Sequence, residues 1–331
     1  MSEAPQLGYM LFAVDKKPFC VWGWELRRRN QEYLAGVDHE YFEYLAKAHA
    51  TQLDGPDAQR AAMALRSAYH HGLETLFTLI CAGLQAPGCI AAWILLSRSS
   101  DLRSLVAAIQ GGHARILNYL DLSEVSWSGL SERINIGSYE DAERTKETKR
   151  LFAELWGRLA SDFLNEDHIA EYNSMKHGYR ARAGGLTLMA GLEHEYGVAP
   201  PAEDMQLVGT SQFGSSFPTL VPITDNQREE PNIRLKTTFL NWHPGALAQR
   251  LQLIACSINN VVSYLRILGK TDPKNVKFLR PEESSAFQAP WEQSPGLVQA
   301  TIDIPVQQSE IRAYTREEIL TDLQARQTGA A

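Results

Sequence analysis

Cysteine is scarce in this chain of 331 residues: Cys20, Cys81, Cys89 and Cys256 are the complete set, and no two form a Cys-x-x-Cys pair. They read as buried thiols of a reducing, cytoplasmic compartment. The common catalytic fingerprints are missing as well. There is no Gly-x-Gly-x-x-Gly and no Gly-x4-Gly-Lys loop, so neither usual nucleotide cradle is present. There is no Gly-x-Ser-x-Gly elbow and no His-Glu-x-x-His. No histidine has a glutamate three positions before it, which removes the di-iron bundle signature. No metal and no cofactor is expected on these grounds. Charge is modest at 21%, and acids outnumber bases, 39 Asp+Glu against 32 Lys+Arg, for a net charge of -7. That balance argues against a protein that coats nucleic acid or membrane wholesale, and leaves a local basic patch open. The N-terminal MSEAPQLGYM carries an acid and a proline where a signal peptide needs basic residues and an apolar stretch.

Long uncharged runs are also rare, and one needs a test. Residues 75–96, TLFTLICAGLQAPGCIAAWILL, carry no formal charge and could span a bilayer by length. Gln85, Pro87 and Gly88 break the run in its middle, which predicts two core helices joined by a tight turn and no membrane association.

What is present is apolar helical patterning, within a composition that is 44% apolar and far from that of a disordered chain. Residues 1–36 read as irregular, with Phe19, Trp22 and Trp24 followed by Arg27, Arg28 and Arg29. Helical patterning begins at 38–52. A long helix is predicted over 57–84, because Leu65, Tyr69, Leu73, Leu76, Ile80 and Leu84 share one face. Shorter helices follow at 89–97 and 101–110, then a loop-like stretch over 112–137. Ser138 and Asp141 open another helix that runs to about Leu164, with Leu151, Leu155, Leu159 and Phe163 inward. A further helix is predicted at 167–178.

The pattern then changes. Stretches 186–190, 205–213, 217–223 and 232–242 have β composition with Gly and Pro punctuation. After Pro244-Gly245, the residues Leu247, Leu251, Ile254, Ile258, Val261, Leu265 and Leu268 form a heptad seam. Gly269 ends it. The seam packs either within the chain or between protomers. The expected architecture is a single domain over 1–331, mainly α: an antiparallel helical bundle with a small β insertion. Its helical core covers about 38–178 and 244–269, its β insertion about 179–242, and a polar tail 270–331 carries a terminal helix at 315–326.

Two polar constellations interrupt these helices. In RSAYHHGLE, residues 66–74, Arg66, His70 and Glu74 lie four apart on one face, with His71 turned away. This is either a solvated ladder or a histidine tuned for proton transfer. In EYNSMKHGYRAR, residues 171–182, Asn173, His177 and Arg180 share a face near a helix end. Lys176 and Arg182 complete three cations with no acid between 176 and 182. Such a cluster either complements a helix dipole or forms an anion site. A second basic stretch, 261–281, sets Arg266, Lys270, Lys274, Lys277 and Arg280 against Asp272 alone, a net of +4.

The stretch YNSMKHG resembles the HEPN superfamily motif in its polar-x3-His part, Asn173 and His177, with Tyr172 where that family has Arg. Arg66-Ser67-x3-His71 fits the same bare spacing. The resemblance implies a compact helical bundle and a metal-independent endoribonuclease or RNA-binding effector of the toxin or antiphage type. His177 would act as base toward a ribose 2′-OH. Arg180, Lys176 or Arg66 would supply the charge that Arg gives in the family, with Asn173 and His71 beside them, and Lys176, Arg182, Arg266 and Lys270 would hold the RNA. Two other readings stand beside it. One is a non-enzymatic interaction module that forms a homo-oligomer through helix 246–268. The other is a bundle enzyme or metal site around His70, His71 and Glu74.

Overall fold

A computed structural model describes residues 7–112, 116–122, 124–136, 139, 141–222, 232–303, 312 and 314–328. Of these, 54% are helical and 17% lie in strands arranged in three sheets. The protein is therefore mixed α and β, not a mainly α bundle with a small β insertion. The chain divides into two compact units: Met1–Ile169 with His243–Ser294, and Ala170–Trp242 with Pro295–Ala331.

The first unit holds two strands and most of the helices. Strands β1 (Leu7–Val14) and β2 (Lys17–Trp24) pair antiparallel through a turn at Asp15, whose φ is 54°. Helices α1 (Leu26–Ala35) and α2 (Glu40–Ala50) follow. Helix α3 (Ala58–Gln85) is the central rod, and α4 (Ile90–Leu96) departs from it at 114°. The uncharged run is thus bent at its Pro-Gly break, as its punctuation predicts. Helices α5 (Ser99–Gln110), α6 (Trp127–Ile134) and α7 (Ala142–Leu164) complete this stretch. Asp141 caps α7 by accepting from the Glu143 and Arg144 amides. Ser138 lies outside the described residues.

Helix α9 (Pro244–Leu268) packs chiefly on α3 and α2. All the seam residues except Leu268 are buried in this one chain. Close approach of the rods depends on two glycines of α3. A Cβ at Gly72 would sit 3.2 Å from the Ile254 side chain, and one at Gly83 would sit 2.9 Å from Leu265. Helix α9 is also long and apolar enough to cross a membrane, yet 72% of its apolar window is buried within the protein. A short helix, α10 (Ala289–Glu292), closes the unit.

Helix α8 (Glu166–Lys176) carries the chain into the second unit. There β3 (Arg182–Ala183), β6 (Gly214–Pro222), β7 (Ile233–Asn241) and β8 (Gln299–Ile302) form one antiparallel sheet, and β4 (Thr187–Ala190) and β5 (Gln206–Thr210) form a hairpin. Asn241 ties these pieces together: its Oδ1 accepts from the Leu186 amide at 3.0 Å, and its Nδ2 donates to the Leu297 carbonyl at 2.7 Å. Helix α11 (Arg316–Gln327) is capped by Thr315 in a reciprocal box with Glu318.

The sequence expectation fails in three places, each for a physical reason. Residues 7–35 are not irregular: the strands are apolar on both faces, which hides the period-2 alternation that identifies a half-buried strand. The loop-like stretch contains α6, capped by Ser126 through the Gly129 amide. The polar tail contains β8, which completes the second unit's sheet beside β7.

Candidate functional site

The first constellation resolves into two places within the first unit. Arg66 and His70 are 2% and 5% exposed, so they are not a solvated ladder. They join a polar cluster that helices α3, α7, α9 and α10 enclose. At its centre the Tyr69 hydroxyl donates to Asp162 Oδ2 at 2.5 Å, and Arg250 Nη1 donates to the same oxygen at 3.2 Å. The Arg250 guanidinium lies 4.5 Å over the Trp291 ring and donates through Nη2 to the Pro290 carbonyl. Arg66 stands 5.8 Å over the Tyr69 ring. His70 faces His168 edge to face at 6.1 Å, and His168 Nδ1 meets the Asp162 carbonyl at 3.1 Å. Burial, with the Asp162 charge beside it, pushes the Tyr69 phenol well above its ordinary pKa. It remains a protonated donor at neutral pH. Completely buried, Tyr69 cannot touch a substrate; the cluster fixes the packing of its helices.

His71 turns the other way. It is exposed and meets the Phe42 ring edge on at 5.3 Å. With Glu74, Tyr33, Thr78, Arg98 and Leu102 it lines a cavity of about 320 Å³. Arg66 and His71 therefore lie apart, one in the core and one at the surface, and the Arg66-Ser67-x3-His71 spacing does not assemble a site. Glu74 shares the cavity with His71, while His70 is buried in the polar cluster, so the two histidines face different surroundings. Among the described residues no three His, Cys, Asp or Glu side chains are placed to hold a metal ion.

The second constellation does assemble, in the second unit. The buried Glu171 accepts from the Ser215 hydroxyl and from Trp242 Nε1 at 3.0 Å, which anchors the last turns of α8. Beyond Lys176 the chain reverses through two left-handed residues, Gly178 (φ 83°) and Tyr179 (φ 46°). The reversal is closed by the Arg180 amide, which donates to the Ser174 carbonyl at 2.7 Å. It carries the Arg180 guanidinium back to the Asn173 carbonyl, with Nη2 at 3.4 Å. The His177 amide donates to that same carbonyl at 3.0 Å. Asn173, His177 and Arg180 thus occupy one exposed turn. Lys176 lays its ammonium 4.7 Å from the Tyr172 ring centre, so a cation stands beside the place where the HEPN motif has Arg. Arg182, exposed on β3, follows two residues on. No acid occurs from 172 to 192.

The other basic stretch is reduced by its own folding. Arg280 is buried, donating to Glu147 at 3.2 Å, to Thr148 at 2.9 Å and to Ser284 at 2.8 Å. It is a packing residue and not part of a basic surface. Lys270, Lys274 and Lys277 are exposed and Arg266 half-buried, all in the first unit.

Sequence reasoning missed Asp162, Arg250, His168 and Trp291. A signal existed for two of them. Arg250 sits three residues after Leu247 and four before Ile254, beside the α9 seam, and Asp162 sits three after Leu159 on the buried side of α7. A charge beside an otherwise apolar seam asks for a buried partner. No family model matches this chain, and no curated protein or solved structure matches it.

Proposed function

We propose that the protein binds RNA through its phosphate backbone at the exposed turn that ends α8. One observation carries the reading: the reversal at Gly178 and Tyr179 returns Arg180 to the Asn173 carbonyl, so Asn173, Lys176, His177 and Arg180 present amide, cation and imidazole together. Phosphate oxygens are met by such donors, and no acid lies between residues 172 and 192 of the sequence, while Glu171 beneath the turn is bonded to Ser215 and Trp242. The resemblance of YNSMKHG to the HEPN motif, with Lys176 beside the Arg place, supports RNA as the polymer.

Exposure favours binding over cleavage. Oriented charges stabilise a transition state most where water is excluded, and every one of these side chains stands in water. Arg182 adds a third cation two residues on.

The reading is tested with a fluorescent single-stranded RNA over a salt series. With Lys176, Arg180 and Arg182 on the backbone, log K falls against log salt with a slope of about -2, on ~0.7 per phosphate for a single strand. The same RNA, incubated in EDTA, stays intact. Affinity and salt slope unchanged in the Lys176→Glu, Arg180→Glu double variant overturn the proposal. Cleavage in EDTA that His177→Ala abolishes converts it from a binding site to a catalytic one.

A further inference from the structure

The β1–β2 ribbon has two unlike faces. Its inner side chains, Met10, Phe12, Phe19 and Val21, point toward the protein, and the turn is held from below. Gln85 accepts the Asp15 amide at 2.8 Å and donates to the Asp15 carbonyl at 2.9 Å, and Trp93 Nε1 donates to the Ala13 carbonyl at 3.1 Å. Met10 reaches the α3–α4 turn, where a Cβ on Gly88 would meet its methyl carbon at 2.9 Å. The outer face follows from the register. Leu7 pairs with Trp24, Tyr9 with Trp22, and Leu11 with Cys20, so alternate cross-strand pairs put six uncharged, largely apolar side chains on one side of the ribbon. Tyr119 extends this side, its hydroxyl donating to the Leu11 carbonyl at 2.9 Å.

This face is open. Leu7, Tyr9, Leu11, Trp22, Trp24 and Tyr119 each expose more than half of their surface. The four aromatic rings alone present on the order of 400–500 Å², taking ~150–250 Å² for each whole ring residue. With the two leucines the patch exceeds the few hundred Å² usual for a monomer and approaches the ~800 Å² that one partner contributes to a standard interface. No charged side chain interrupts it, so it offers little to a polar ligand. It is also pinned from beneath, so docking would order little that is not already ordered.

We infer that the outer face of the β1–β2 ribbon is where a second copy of this chain docks, ribbon against ribbon, in a two-fold dimer. A flat face of aromatic and aliphatic side chains is complementary to itself, which is what an isologous contact requires. Tyr and Trp are the residues enriched at the core of an interface. Charge follows in sequence at Arg27 and Arg29, both exposed at the start of α1. The seam of α9 is spent on α3 and α2, so the ribbon and not helix 246–268 is the self-association surface.

Sedimentation velocity over a concentration series, on the full chain, tests this. The wild type forms a dimer whose fraction rises with concentration. Trp22→Glu and, separately, Leu11→Lys weaken it on the order of 30-fold or more, as expected for central anchors. Both positions point outward, and a circular-dichroism melt shows whether each variant is folded. Leu235→Glu alters a different exposed apolar pair, Leu220 with Leu235 on β6 and β7, and leaves the dimer unchanged. Three results overturn the inference. One is a wild type that is monomeric at roughly 100 µM, above the range expected for a standard-size contact. Another is a dimer that survives both ribbon variants or is lost in Leu235→Glu. The third is a monomer that sediments with anionic phospholipid vesicles and loses that binding in Trp22→Glu, which would assign the face to a lipid surface.

Discussion

The two polar constellations resemble each other in sequence and have opposite fates in the fold. Both place an Arg, a His and further polar groups at helical spacing. Around Arg66 and His70 the charges are buried or half-buried, and Asp162 is shared between a phenol and a guanidinium. Around His177 the side chains are exposed, and the one tight set of bonds, from Glu171 to Ser215 and Trp242, lies beneath the turn. Enclosed charge is committed to its partners and serves packing. Exposed charge over a rigid base stands where a ligand can reach it. The difference should be visible as a separation of variables: substitutions in one cluster change stability and leave RNA affinity alone, and substitutions in the other do the reverse.

The largest effect is expected from Asp162→Ala, which leaves Arg250 and the Tyr69 hydroxyl facing each other without their acceptor. Removing one member of a largely buried pair should destabilise the protein by about 3 kcal/mol. Urea unfolding measures this, and RNA affinity extrapolated to fully folded protein stays unchanged. Next is Arg180→Glu, which should weaken RNA binding about tenfold at moderate salt and shift the melting temperature little, because the side chain is exposed. A fall in melting temperature equal to that of Asp162→Ala would erase the contrast between the clusters. Gly178→Ala links the two quantities. Its φ of 83° strains any residue with a Cβ, so about 1 kcal/mol of stability should be lost together with a severalfold loss of RNA affinity, as the turn that returns Arg180 loosens.

The smallest effect concerns acid. The Glu147 carboxylate accepts from Ser284 and from Arg280, and these hold its pKa below the ordinary 4.5. Its folded pKa is depressed, so the stabilisation is complete above 4.5 and is lost as pH falls through the lower folded value. Wild type should therefore melt above Glu147→Gln at neutral pH, and the gap should close below pH 4.5. A gap independent of pH would mean that the carboxylate contributes by shape alone.

Much of the helical framework was legible, because α7 buries one stripe, and α3 and α9, though buried on most sides, still set their large apolar residues at a helical period. The ends were legible where capping chemistry is local, as at Asp141, Thr315 and Pro244. The mixed character of the fold was not. Strands β1 and β2 are apolar on both sides, one side for the core and one exposed, so alternation vanishes just where two different surfaces are built. Strand β8 is four residues long and earns its place only beside β7, a partner some sixty residues earlier, which no local pattern encodes. Asn173, His177 and Arg180 were grouped by helical spacing, but α8 ends at Lys176, and it is the left-handed reversal at Gly178 and Tyr179 that brings Arg180 back to the Asn173 carbonyl. Arg66 and His71 were paired by spacing alone and separate, because residues five apart on a helix diverge by about 140°. Asp162 and Arg250 meet only through tertiary packing, so neither could be read as a partner of the other.

The latch from Gln85 and Trp93 to the ribbon has a consequence for synthesis. Strands β1 and β2 leave the ribosome before the groups that hold their turn, which follow 70 to 80 residues later. At ~5–20 residues per second that interval lasts about 4–16 s. Throughout it the nascent hairpin carries Phe12, Phe19, Trp22 and Trp24 on two uncovered faces. An isolated two-stranded ribbon is marginal in water, so these residues form a transient adhesive segment. Expression yield should therefore depend on translation speed and chaperone supply over residues 25–93 more than on the stability of the finished protein.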